Sequence, residues 1–150
     1  MLGKFSRDHQ WSRWLSLEDA VDVCEQMLRL VQAVSELPDT HFEVHVRHPQ
    51  ARSLEGDDPG GLREALAGVP PEHVDYFRYE ASHPALPELT TTLRMDRLGE
   101  MRMTLVVAGS NRKTVERLDA ELRRAVRARL DAREVGVGAG IAGARRPENG

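Results

Sequence analysis

One cysteine, Cys24, is all the chain has among its 150 residues. An internal disulfide is therefore excluded, and the residue falls on the apolar side of a helix, where a small buried thiol is expected rather than a reactive one. Aromatic residues make up only 5% of the sequence. They do not interleave with the arginines along a strand face, as single-strand nucleic-acid binding requires. No excess of positive charge is present either: the formal charge is −3 and the pI near 6.1. Bulk attraction to nucleic acid or anionic lipid is thereby disfavoured. Apolar runs long enough to span a bilayer, about 18–20 residues, are missing, and so is the apolar centre of a signal peptide. A cytoplasmic protein is the expectation.

What is present is ordinary for a globular domain, with 40% hydrophobic and 30% charged residues. The clearest pattern is a hairpin. Leu89, Thr91, Leu93 and Met95 alternate onto one face, and Met101, Met103, Leu105 and Val107 onto one face of a second strand. Pairing Met95 with Met103 and Leu93 with Leu105 matches like faces and leaves a loop at Leu98, Gly99 and Glu100, where Gly99 can take a positive φ. The opposite face, Thr90, Thr92, Arg94 and Asp96 against Arg102 and Thr104, is polar, so one side of the sheet is wet or reserved for a partner. Ser110 or Asn111 then caps a helix whose stripe is Val115, Leu118, Leu122, Val126 and Leu130. Its second half carries Arg123, Arg124, Arg127, Arg129 and Arg133, which oppose the negative end of the helix dipole.

Ahead of this unit, residues 1–15 read as an arm. Trp11, Trp14 and Leu15 have the spacing of a short helix and would lid the core or contact a second copy; a membrane-surface anchor is the remaining alternative, backed only by Lys4, Arg7 and Arg13 and opposed by Asp8. Ser16 caps a long helix through Leu37, with Leu15 stapling against Ala20, and Pro38 and Asp39 end it. Its apolar set (Leu17, Ala20, Val21, Val23, Cys24, Met27, Leu28, Leu30, Val31, Val34, Leu37) covers about half the circumference, more than one sheet contact needs. Residues 40–46 alternate as a strand with Phe42, Val44 and Val46 inward and His41, Glu43 and His45 outward. A loop from His48 to Gly61 leads to a short helix capped by Asp58 and begun by Pro59. Residues 74–81 form a further strand with Phe77, Tyr79 and Ala81 inward, and Ser82 to Pro87 form a loop. Residues 134–150, rich in Gly and Ala, offer too little side chain to offset ordering entropy and read as a disordered tail.

Candidate chemistry is sparse. His41 and His45 share a strand face with His48 just beyond, but Arg47, Arg94 and Arg102 make that face a poor home for zinc. Ser82 and His83 are neighbours in sequence, which does not make a catalytic pair. Gly136, Gly138 and Gly140 have neither the preceding strand nor the following helix of a dinucleotide site. No metal or cofactor is expected.

The expected fold is α+β: residues 16–133 as one domain with a four-stranded, mainly antiparallel sheet and three helices on one face. This resembles a ferredoxin-like sandwich in layout only, with an extra leading helix, and implies no function. The expected function is a small non-catalytic protein–protein interaction or regulatory module that self-associates as a homodimer, with Trp11, Trp14 and Leu15 as contact residues. The alternatives are a nucleic-acid-binding accessory protein using Arg123, Arg124 and Arg127, and an enzyme with a site assembled around His41 and His45.

Overall fold

A computed structural model of the protein describes residues 4–35, 37–47, 51–85, 88–97 and 99–142, with the side chains of the final helix followed as far as residue 132. The elements are β1 (Phe5–Trp11), α1 (Leu17–Gln32), β2 (Asp39–Val46), β3 (Arg52–Gly56), α2 (Pro59–Leu66), a 3₁₀ turn at Pro71–His73, β4 (Val74–His83), β5 (Leu89–Asp96), β6 (Arg102–Gly109) and α3 (Arg112–Ala142). All strands join one antiparallel sheet in the order β1-β6-β5-β4-β2-β3. The architecture is α+β with three helices on one face, as expected. The sheet has six strands, however, not four.

The two additional strands lie at the edges, where hydrophobic patterning is weakest. β3 interrupts the expected loop between His48 and Gly61 and sends only Leu54 towards the core. β1 replaces the short helix expected around Trp11. It pairs with β6 along its whole length, Phe5 opposite Gly109 and Trp11 opposite Met103. Residues 5–11 are thus the edge strand of the same sheet, and the ferredoxin-like comparison ends at the two-layer arrangement.

The hairpin forms in the register read from alternation: Met95 opposite Met103 and Leu93 opposite Leu105. Gly99 has φ +82°, a conformation a Cβ would strain, while Leu98 lies outside the described residues. Helix caps also follow the sequence: the Ser16 hydroxyl accepts from the Asp19 N–H, Asp58 Oδ1 from Gly61 and Asn111 Oδ1 from Thr114. α1 stops at Gln32 instead of Leu37, through turn hydrogen bonds of Val34 and Ser35 to the Val31 carbonyl. Leu37 is 87% exposed and belongs to no apolar face. β4 runs on through Ser82 and His83, which pair with Thr90 and Leu89. α3 continues through Ala142, so the backbone of 134–142 is helical where the sequence suggested a disordered tail; 143–150 lie outside the described residues.

The breadth of the apolar side of α1 has an internal explanation. This helix packs against β4, β5, α2 and α3 together, burying Leu17, Ala20, Val21, Val23, Cys24, Met27 and Val31. The stripe Val115, Leu118, Leu122, Val126 and Leu130 of α3 is buried beside it over β6 and β1. From the sheet come Phe42, Val44, Phe77, Tyr79, Ala81, Leu93, Met95, Met103 and Leu105.

Candidate functional site: the open face of the sheet

With the three helices on one side, no described residue covers the other side of the six strands. Cross-strand register arranges its side chains in rows. One row reads Glu55, Glu43, Arg78, Arg94, Thr104 and Gln10 from β3 to β1. The row beside it reads His41, Glu80, Thr92, Val106 and Asp8, and the row on the other side Ser53, His45, Tyr76, Asp96 and Arg102. At about 3.3 Å per residue and about 4.8 Å between strands, the face measures roughly 26 by 29 Å, or about 750 Å² in projection.

Its charges are largely paired with neighbours. Arg78 Nη2 donates to Glu80 Oε1 at 2.6 Å, and Arg94 Nε lies 3.8 Å from Asp96. His45 Nε2 sits 2.6 Å from Glu43 Oε2, with its ring 4.9 Å from that of Tyr76, and His41 Nε2 is 3.8 Å from Glu55. The two histidines therefore face separate carboxylates. Among the described residues no group of three or more His, Cys, Asp or Glu could hold a metal ion, and His48 lies outside them. Thr104 differs from the rest of the face. It is only 7% exposed, yet its hydroxyl has no hydrogen-bond partner.

The other sequence candidates are scattered. Trp14 and Leu15 are inside the core. The Trp14 Nε1–H is shared between the carbonyls of Asp96 and Arg102, 3.1 Å from each, and the Arg97 guanidinium lies 4.5 Å over the indole. Trp11 is half-buried at the end of β1. Arg123 approaches Asp119 at 3.8 Å, whereas Arg124 and Arg127 are exposed on the outer side of α3 with Lys113 and Arg117. Ser82 and His83, being consecutive in β4, point to opposite sides of the sheet. The Cys24 thiol is buried, and burial, reinforced by Glu25, pushes its pKa well above the ordinary value, so it is not a nucleophile in the folded chain.

Two constellations escaped the sequence reading. Along the seam of β1 and α3, Arg7 and Arg112 both hold Glu116, at 2.8 and 3.2 Å, and lower its pKa, Arg7 contributing most. One turn on, His9 Nε2 lies 3.0 and 3.3 Å from the two oxygens of the buried Asp119. The cleft around this His–Asp pair is lined by Arg7, Glu116 and Arg123 and contributes no hydroxyl, thiol or amine nucleophile. The second is an apolar groove of about 440 Å³ between the start of α1 and α2, lined by Leu17, Val21, Leu66, Val69 and Pro71. Arg63 at its rim is tied to Asp22 and Glu25 at 3.0 and 3.3 Å. The residues of both lie far apart in sequence and meet only through the topology.

No known protein-family model matches the chain, and no curated protein or solved structure is significantly similar to it. No helix among the described residues is long and apolar enough to cross a membrane.

Proposed function

We propose that the chain is a non-catalytic protein–protein interaction module that docks its partner on the open face of the sheet. The observation that carries this reading is the one-sided placement of three helices on a six-stranded sheet, which leaves about 750 Å² of continuous, half-buried surface in projection. A standard protein interface takes about 800 Å² from each partner. The composition suits a reversible contact: Val106, Ala108, Tyr76, Thr90 and Thr92 supply a weakly apolar ground among charged groups. Self-association belongs to the same proposal, with the open face in place of Trp14 and Leu15, whose burial leaves them no surface to offer.

The test is in-cell photo-crosslinking with a benzophenone amino acid placed in turn at Thr92, Arg124 and Glu18. A discrete adduct from position 92 that excess unlabelled protein competes away is expected, and its mass states whether the partner is a second copy. Adducts confined to positions 124 or 18 would move the interface to α3 or to the apolar groove and refute the reading.

A second reading rests on the exposed Lys113, Arg117, Arg124 and Arg127 of α3, a basic ridge able to meet a nucleic-acid backbone. Backbone contacts strengthen as salt falls. Binding of a generic duplex at 50 mM salt that is lost on the combined Arg117→Gln, Arg124→Gln and Arg127→Gln change would favour it; no binding at that salt eliminates it.

A further inference from the structure

Within the docking face, and resting on that reading, we infer that Arg78, Arg94 and Thr104 form a subsite for a carboxylate presented by an acidic segment of the protein partner. Arg78 and Arg94 stand directly opposite each other on β4 and β5. Like charges in that relation destabilise a sheet. Arg78 has two acids to offset this, Glu43 opposite it on β2 and Glu80 bonded to it at 2.6 Å. Arg94 has less. Its cross-strand neighbours are Arg78 and Thr104, and its nearest carboxylate, Asp96, is 3.8 Å away. A threonine at that position, as at Thr90 and Thr92 on the same strand face, would serve the sheet better.

Thr104 is an independent observation. Its side chain is more than nine-tenths buried between Arg94 on one side and Gln10 on the other, and its hydroxyl is left without a partner. A buried hydroxyl without a hydrogen bond is destabilising. A carboxylate lying over Arg94 would draw the guanidinium up into a charge-assisted fork and uncover the Thr104 hydroxyl as a further donor. It would also screen Arg94 from Arg78. One ligand group thus offsets both liabilities.

Charge around the subsite sets the kind of anion. Glu43, Glu55 and Glu80 lie on the β3 side and Asp8 on the β1 side, all on the same face. A continuous polyanion laid across the sheet would meet repulsion at both ends, whereas one or two carboxylates on a short segment need only share the central arginines with the acids already beside them, Glu43, Glu80 and Asp96. A nucleic-acid strand is therefore the wrong ligand for this face.

The experiment uses the full chain and the peptide Gly-Glu-Gly-Glu-Gly, blocked at both ends, as probe, followed by two-dimensional NMR of backbone amides and arginine Nε–H groups. Saturable shifts centred on residues 78, 94 and 104 are expected, absent with the Gln-for-Glu peptide. Arg94→Thr should abolish them while the melting temperature stays level or rises. No saturable shift, equal shifts with the Gln peptide, or a fall in melting temperature of several degrees on Arg94→Thr would each overturn the subsite, the last by showing that Arg94 serves the fold. Shifts with inorganic phosphate but not with the peptide would overturn the carboxylate assignment. Failure of the subsite separates from failure of the docking reading through the position-92 crosslink. An adduct of undiminished yield in the Arg94→Thr background leaves docking intact without the subsite, and absence of the adduct in the unaltered background refutes docking itself.

Discussion

Replacing Trp14 by Phe should cost more stability than any conservative change elsewhere in the first fifteen residues. The indole is 4% exposed, and its single N–H serves two carbonyls, those of Asp96 and Arg102, at the neck of the β5–β6 hairpin. Phe keeps the ring but removes the donor. Leaving carbonyls in place without it costs about 1–2 kcal/mol. The smaller ring leaves a partly uncollapsed cavity, adding about 1–2 kcal/mol. Together these give about 3 kcal/mol, or a fall in melting temperature of roughly 6–12 °C for a chain of this size. Urea denaturation followed by far-UV circular dichroism measures the loss, and an unchanged m-value would place it in the folded state. Arg97→Met is the companion variant, since Arg97 stacks on the indole and also donates from Nε to the Val74 carbonyl at 3.1 Å. A loss below 1 kcal/mol for Trp14→Phe would show that the indole N–H does not fasten the hairpin and would refute the reasoning.

Tyr79 leads to the opposite expectation. Its hydroxyl is buried without a partner and its pKa is pushed up, chiefly by burial, so Tyr79→Phe should be neutral or stabilising by about 1 kcal/mol in the same urea assay; a clear loss would contradict this. Gly109→Ala should destabilise by several kcal/mol, because the new Cβ would overlap the Glu88 carbonyl, which is backbone and cannot swing aside, and press on Val115. Soluble, native-like Gly109→Ala protein with an unchanged urea midpoint would disprove it. Glu116 contributes stability that is present above its unperturbed pKa of 4.5 and lost as pH falls through the lowered folded value, because Arg7 and Arg112 favour the ionised form. Stability curves of the wild type and Glu116→Gln should therefore differ at neutral pH and converge in acid; parallel curves down to pH 3 would rule the contribution out.

How much of the fold can be read from the sequence depends on what each strand packs against. β5 and β6 are central, so their inward residues are uniformly apolar or small, and alternation fixes faces and register together. β1 is hidden because two of its helix-side residues are polar. Arg7 and His9 occupy positions where a core strand would carry Val or Leu, and they are accommodated by Glu116 and Asp119, more than a hundred residues away. With that alternation masked, Trp11, Trp14 and Leu15 show only the spacing of a helix, although the chain between Trp11 and Leu15 is a turn leaving a strand. β3 is short and one inward leucine gives no period. The breadth of the apolar set on α1 is legible from Leu17 to Val31, though not on to Leu37, and width alone does not distinguish a partner chain from α2 and α3. The polar face of the hairpin was equally legible. Its central feature was not: Arg78 meets Arg94 only once β4 is known to pair with β5 and its inward residues are assigned.

The pairing of β1 with β6 also orders events during synthesis. The edge strand is translated before the other five, and its partner, roughly a hundred residues later, leaves the ribosome about 5–20 s afterwards. Throughout that interval the first strand has nowhere to dock, while β2 to β5 can already assemble around α1. A strand of alternating Val and Ile would spend that time seeking foreign edges. Phe-Ser-Arg-Asp-His-Gln-Trp keeps charge at its centre and waits in water instead. The electrostatic seam to α3 then closes last, when the carboxylates of Glu116 and Asp119 arrive to receive it. Of the six strands, the first to be made is thus the last able to pair.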